Sequence, residues 1–353
     1  MVKEKAYMGV NQEGMDPGRR DRQVVRAAWR AAMLVWIALV VPVACNTAQT
    51  GCTDPQATNY TSSAVQNDGS CTYDTVYVAP VKSMELSMEI METSGLIFWD
   101  GYLWTHNDDT DIRIYGVDTA TAITRITHIL WKAENYDWEE ISQDEDYIYL
   151  GDFGNNGGNR TDLHILRVDK SSLSGKKPAI DTLWFTYSDQ EDFSPAALNQ
   201  TEFDCEAFVV SRDSIYLFTK QWITANTTVY ALPKEPGTHV AAKRGTFDVG
   251  GLVTGATCLE DKKLVVLCGY TGLTQPFLCL LYDYPDHSFF EGNRRRINLS
   301  LLFHQVEGVA TADGLTYFVS NEYSGLSAMG YRNYQKLHRI DLTPFLEEYL
   351  GRK

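Results

Sequence analysis

Short apolar strands alternate with polar turns along this chain at a regular interval. Residues 135–160, NYDWEEISQDEDYIYLGDFGNNGGNR, hold the fullest copy of the pattern. An acidic cluster (Asp137, Glu139, Glu140) is followed by the turn QDED and by Tyr147-Ile148-Tyr149-Leu150. A glycine- and asparagine-rich loop then carries Asp152 and ends at Arg160. The β-branched and aromatic run suits a packed, pleated surface, and the polar turn closes a hairpin. Weaker copies recur: Glu139 precedes Tyr149 by ten residues, as Glu206 precedes Tyr216 and Glu307 precedes Tyr317. Ser94 and Trp104, and Ala256 and Val266, keep the same spacing. Third strands are expected at 112–117, 163–168, 228–232, 277–282 and 336–340, and fourth strands at 122–130, 180–187 and 243–249. Five units of about 50 residues with about four strands each predict an all-β fold, a β-propeller of five blades. After Ile340 only a helical tail, 344–350, stands where an outer strand belongs. A strand within 83–90 is therefore expected to complete the last blade and close the ring, which removes exposed edges. A sixth blade within 188–203, or an open solenoid, are the alternatives.

The composition, 44% hydrophobic and 12% aromatic over 353 residues, supplies a core for one large domain. The first 44 residues stand apart. Arg19, Arg20, Arg22, Arg26 and Arg30 precede an apolar run that stops at Cys45, the layout of a secretory signal. The run is short for a membrane span, which needs about 20 residues; a single N-terminal anchor is the alternative. Val41-Pro-Val-Ala-Cys45 resembles a bacterial lipoprotein signal, with Pro42 in place of the usual aliphatic residue. That resemblance implies a lipidated Cys45 and an exported protein, of the cell envelope (an outer-membrane lipoprotein) or extracellular. The expected layout is thus a signal at 1–44, a linker module at 45–76 and the propeller at 77–353. The net charge is −15, and removing the arginine-rich segment makes the remainder more acidic still. Such a surface repels nucleic acid and anionic membranes. Membrane contact is expected only through the lipid, and the propeller is expected to be a monomer.

Seven cysteines fit an exported chain. Cys52 and Cys71 bracket a compact polar module and are expected to pair. Cys258 and Cys268 lie on neighbouring strands, where they either pair or remain free thiols like Cys205 and Cys279. No spacing suits zinc. The bracketed segment, GCTDPQATNY to NDGSC, resembles the CTDPxAxNYxxxAxxxDGSC modules frequent in exported Bacteroidota proteins. A disulfide loop this small has no core of its own, and it reads as a spacer between anchor and propeller. Calcium at Asp54, Asn67 and Asp68 is the competing reading.

In a propeller the first strand of each blade lines the channel. Turns between first and second strands are minimal here. Those between second and third are long (107–111, 151–160, 220–227, 269–276 and 321–335), which marks the functional face. Glu139, Glu206 and Glu307 start equivalent inner strands and converge on the channel mouth. His106, Asn107, Asp108, Asp152, Lys220, Asn321 and Glu322 approach it from the ends of second strands. Carboxylates so close do not all ionise without a cation or shared protons. Oxygen donors without paired histidines point to calcium or magnesium, calcium being the cation expected, with Glu139, Asp152, Glu206 and Glu307 as ligands. The competing reading makes each glutamate a staple to backbone amides of the next blade. Trp138, Trp222, Tyr270, Tyr323 and Tyr331 serve either sugar stacking or blade packing.

Read in order, the motifs Thr105-His-Asn-Asp108, Asp137-Trp-Glu-Glu-Ile-Ser142, Gly151-Asp-Phe-Gly-Asn-Asn156 with Arg160, Glu206-Ala-Phe208, Thr219-Lys220, Val253-Thr-Gly-Ala256 and Glu307-Gly308 resemble a family of secreted bacterial β-propeller proteins. In that family the corresponding motifs are THNDSG, DWEDIA, GDIGDN with an arginine, EAL, TK, VTGA and GEAI. The resemblance spans about residues 90–325 and implies the fold and the site face, with Asp137 and Arg160 on it, but no reaction. Asp109-Thr110 and Asn155 depart from the family pattern and weaken a cation site in those loops. The chain has no GxSxG elbow, P-loop, HExxH or strand-linked GxGxxG, so no organic cofactor is expected. The leading expectation is binding of a small ligand, glycan or protein partner at an acidic mouth. The alternative is a hydrolase, either a glycosidase or a metal-assisted phosphoesterase using the same carboxylates.

Overall fold

In the turn Trp99-Asp100-Gly101-Tyr102, φ is 48° at Asp100 and 80° at Gly101. Left-handed backbone at both central positions is a type I′ turn, whose twist matches that of the strands it joins. The strands Thr93–Trp99 and Tyr102–Asn107 accordingly pair antiparallel, followed by Arg113–Val117 and Thr124–Ile129, to make blade one. The computed structural model describes residues 49–352 apart from 176, 195–196, 273–274 and 327–330. Blade two comprises Trp138–Gln143, Tyr147–Asp152, His164–Asp169 and Ile180–Tyr187; blade three comprises Asp204–Val210, Ser214–Lys220, Thr227–Pro233 and Gly237–Phe247. Blade four comprises Leu252–Leu259, Leu264–Tyr270, Pro276–Tyr282 and Asn293–Leu299. Blade five has Val306–Thr311, Thr316–Asn321 and Lys336–Asp341 from its own segment. Its fourth strand is Lys82–Glu85, antiparallel to Lys336–Asp341 with Glu85 opposite Lys336. The N-terminal closing strand expected near residue 83 is therefore present. The first strand of every blade packs on the first strands of both neighbours, blade five on blade one included. The fold is a closed five-bladed β-propeller, and among the described residues 188–203 hold no strand.

Strand alternation explains the core. Odd positions of the second strand of blade four (Val265, Leu267) join the seam with blade three, and even ones (Leu264, Val266, Cys268) the seam with blade five. Each of the five seams holds one apolar cluster of this kind. Inner strands therefore read as continuous apolar runs, whereas Thr124–Ile129 at the rim alternates between half-buried and exposed. The outer strands of blades two and three also pair, parallel, with Leu183 opposite Gly237. The C-terminal helix Thr343–Arg352 buries Leu346 and Tyr349 beneath blades four and five, where the Tyr349 hydroxyl donates to the Lys262 carbonyl at 2.6 Å.

Cys52 and Cys71 form a disulfide, and Cys205, Cys258, Cys268 and Cys279 are free thiols. The bracketed module is not a free spacer. Asp54 Oδ2 accepts hydrogen bonds from Tyr73 (2.9 Å) and from Tyr282 of blade four (2.5 Å). Arg295 of blade four lies between the rings of Tyr73 and Phe345 and donates to Gln56 Oε1 at 2.6 Å. Asn67 donates to Asn293. Asp54 and Asn67 thus serve as docking groups, and all described residues belong to one compact unit. The signal segment and Cys45 lie outside the described residues. Among those described, no helix is long and apolar enough to cross a membrane.

Candidate functional site

Each inner strand begins with a bulge, one residue skipped by its partner strand. In blades two, three and five the skipped residue is Glu139, Glu206 and Glu307. In blade four it is Thr254, not Ala256. The hairpin of that blade carries an extra helical turn, Glu260–Lys262, so the ten-residue spacing overshoots by two. Thr254 donates its hydroxyl to the Val306 carbonyl of blade five at 2.5 Å, and Ser94 in blade one donates to the Glu139 carbonyl of blade two at 2.6 Å. Two blades thus staple their neighbours with a hydroxyl. The other three aim a glutamate into the channel.

The three glutamates share one cavity of about 220 Å³ with Asp108, Asp137, Glu322 and Lys220. Trp222, Tyr270, Asn156 and Asn199 also line it. Strand alternation decides which second-strand residues reach it. Asp152, Thr219, Gly269 and Asn321 lie opposite the residue preceding the bulge, and their successors are Phe153, Lys220, Tyr270 and Glu322. Lys220, Tyr270 and Glu322 face the cavity, as Asp108 does in blade one, while Phe153 fills the seam with blade three. The preceding residues turn the other way and hold loops. Asn107 donates to the Glu89 carbonyl and to Asp111, and Asn321 donates to the Tyr334 carbonyl and receives His338 Nε2 at 2.8 Å. Asp152 accepts the Tyr136 amide at 3.0 Å and pairs with Arg160 at 2.8 Å, both behind the mouth. His106 is buried edge-on against Trp138, and burial pushes its imidazole down to about 4. Asn107, Asn321, His106, Asp152 and Arg160 therefore support the mouth without lining it. Trp138 is buried in blade packing, Tyr270 is largely buried but turns its ring to the cavity, and the side chain of Tyr331 lies outside the described residues.

Lys220 is the cation of the cavity. Its ammonium donates to Glu206 Oε1 at 2.7 Å and sits 4.6 Å and 5.6 Å from the ring centres of Trp222 and Tyr270. Burial, the largest single influence, depresses its pKa, but Glu206, Tyr270, Glu307 and Asp204 together outweigh it and hold the ammonium well above its ordinary range. The carboxylates are far in excess of this one charge. Burial, then repulsion from Glu206, pushes Glu139 well up. Glu206 and Glu307 are also raised by burial, against the pull of Lys220. Burial and the charges of Glu92 and Glu322 push Asp108 up to about 8. Burial takes Glu322 to about 7, and burial with Asp204 takes Asp137 to about 6. Asp137 and Glu139 face one another over Gly154, where any β-carbon would lie 2.3 Å from an oxygen of each. Glu139 is 7% exposed, and among the described residues its carboxylate accepts no hydrogen bond.

The calcium ligand set expected from the sequence is only partly assembled. Asp152 belongs to Arg160, Glu206 is taken by Lys220, and among the described residues no three histidine, cysteine or carboxylate side chains converge as metal ligands.

Two further residues, not expected at the site from the sequence, organise it. Asp204, at the entry of blade three, receives the Asn155 amide at 2.6 Å and the Trp222 indole at 2.7 Å, which anchors both loops over the cavity. Glu140 closes the channel below it. Its carboxylate accepts the Ile141 amide at 3.0 Å and, across the axis, the Ala256 amide of blade four at 2.6 Å. Glu140 is the backbone staple; Glu139 is not.

No family model matches the chain, and no curated protein does either. Among solved structures, it is similar to glutaminyl cyclase of Myxococcus xanthus at 10% identity and a TM-score of 0.44, covering 76% of this chain and 100% of that one. It is also similar to the PQQ-bound aldose sugar dehydrogenase of Streptomyces coelicolor (11% identity, TM-score 0.39, 74% and 98% covered). A gluconolactonase from Xanthomonas campestris is a third (12%, 0.40, 73% and 89%). Their chemistry does not carry over at this distance.

Proposed function

We propose that this propeller is a binding protein whose channel mouth takes a positively charged group, either an organic ammonium or guanidinium or a divalent cation such as calcium. One observation carries the reading: Asp108, Asp137, Glu139, Glu206, Glu307 and Glu322 line one cavity around a single ammonium. An added positive charge relieves their repulsion and lets protonated members ionise, so binding releases protons. Calcium would gather Glu139, Glu206, Glu307 and Asp137 in place of the Lys220 ammonium. The test is a thermal-shift and titration series at pH 7.5 with calcium, magnesium, manganese, n-butylammonium and guanidinium. A cation that binds should raise Tm by mass action, about 2.7 kcal/mol at a hundredfold excess over Kd, and release protons. Glu139→Gln should weaken both responses. A Tm unmoved by every cation ends the proposal.

A hydrolase is the second reading, favoured by Asp108: it shares the cavity with Asp137, and burial pushes the two carboxyls up unequally, to about 8 and about 6, the pattern a general acid and its base would need. Turnover of chromogenic glycosides or phosphate esters that is lost in Asp108→Asn would establish it.

The disulfide fits an oxidising compartment, and export with a lipid on Cys45 completes the proposal. Detergent partitioning with mass spectrometry checks it; a water-soluble protein with an unmodified Cys45 refutes the anchor.

A further inference from the structure

The face that bears the acidic mouth also exposes a group of apolar side chains. The connections between blades and the second-to-third loops all lie at this end of the ring, because both flank the starts of the inner strands. Trp131 and Tyr136 lie between blades one and two, Leu198 between blades two and three, and Leu302 between blades four and five. Ile223 and Tyr334 lie in the long loops of blades three and five. All six are between 44% and 77% exposed. The hairpin turns of the opposite face expose only Ile123 among the described residues of the blades. Trp184 and Val240 on outer strands and Val81 beside the closing strand are also exposed; apolar groups scattered singly mean little, but six gathered around one charged hole mark an interaction surface.

The cavity narrows the choice of occupant. About 220 Å³ is below the roughly 300–1,000 Å³ of pockets that enclose whole small ligands. It suits one extended side chain. Its depth offers Glu139, 93% buried and without a hydrogen-bond donor among the described residues, and its wall offers the rings of Trp222 and Tyr270, which already hold one ammonium.

We infer that the mouth face docks a protein partner that inserts one lysine or arginine side chain into the cavity, while apolar residues on either side of it cover the rim. This rests on the cation-binding reading above and names the source of the charge. Charge complementarity at the centre with an apolar surround is the arrangement of an interface hot spot.

The probe is a short fluorescein-labelled peptide with one central lysine flanked by leucines, compared with its norleucine-centred version and with n-butylammonium. The lysine peptide should bind, weaken with added salt, and lose at least about tenfold in Kd when norleucine replaces lysine. Glu139→Gln should lose a similar factor. The double variant Leu198→Ser/Ile223→Ser, at exposed positions that do not threaten the fold, should weaken the peptide and leave n-butylammonium unchanged. If n-butylammonium binds but the leucine flanks add nothing and the rim variant has no effect, this inference falls while the cation-binding reading stands. Equal binding of the norleucine peptide also overturns it. If neither amine nor peptide binds, both fall.

Discussion

The Glu140 carboxylate of blade two accepts the Ala256 amide of blade four at 2.6 Å, across the propeller axis rather than between neighbouring blades. The same carboxylate holds the Ile141 amide, and the Leu96 amide of blade one also favours its ionised form against the burial that raises its pKa. One side chain therefore ties three blades at the centre of the ring.

Truncating it should be costly. Glu140→Ala leaves buried amides without acceptors, each worth about 1–3 kcal/mol, and a total loss of about 3 kcal/mol is expected. Glu139→Gln, one residue away, removes a repelling charge and no hydrogen bond, so its stability at pH 7.5 should equal or exceed that of the parent. Urea unfolding of the two variants decides the matter. An equal loss from both would make Glu139 a staple as well.

Lys220 should behave as a charge whose removal strands its partners. Lys220→Met leaves Glu206, Glu139 and Glu307 without compensation, and breaking a buried pair on one side costs about 3–5 kcal/mol. The second substitution Glu206→Gln should recover much of that loss. Thermal melts of the single and double variants check this, and a double variant as unstable as the single one would place the cost in packing around Trp222 instead.

The blades were legible because the bulge-to-aromatic spacing survives in four of them, and the closing strand because blade five lacked a fourth strand of its own. The spacing misplaced Thr254, since the turn at Glu260–Lys262 lengthens one hairpin. Asp152 and Asn321 were grouped with Lys220 and Glu322 although strand alternation sends adjacent residues to opposite sides; applying that period to the strand ends would have separated them. Glu140 left no such signal. Its partner lies 116 residues away across the axis, a proximity that only ring closure creates.

The mouth should make stability rise as pH falls. Asp108, Glu322 and Asp137 have folded pKa values of about 8, 7 and 6, all above the ordinary carboxylate values near 4. Between about pH 4 and pH 8 the unfolded chain has released these protons and the folded one retains them. Their contribution is thus full below about pH 4 and lost as pH rises through each folded value. Tm at pH 5 should exceed Tm at pH 8 by about 2 °C or more, since one pKa unit is worth about 1.4 kcal/mol. Asp108→Asn should shrink that difference. A Tm that increases steadily from pH 5 to pH 8 would contradict it.

The final prediction concerns the disulfide module. Its closed loop, with a sequence separation of 19, has no core of its own, and it docks through Asp54 on Tyr73 and Tyr282 and through Gln56 on Arg295. Loop closure by a disulfide of this size contributes about 3 kcal/mol, so Cys52→Ser/Cys71→Ser should lower stability by about 2–4 kcal/mol. Tyr282→Phe removes one buried hydrogen bond to a carboxylate and should cost about 1.5–3 kcal/mol. The two effects should not add. Asp54 meets Tyr282 only while the loop is closed, so Tyr282→Phe should cost little more in the disulfide-free background, a coupling that a double-mutant cycle measures directly. Independent, additive losses would show that the docked contacts survive without the disulfide. Losses near zero for both would return the module to the spacer expected from its sequence.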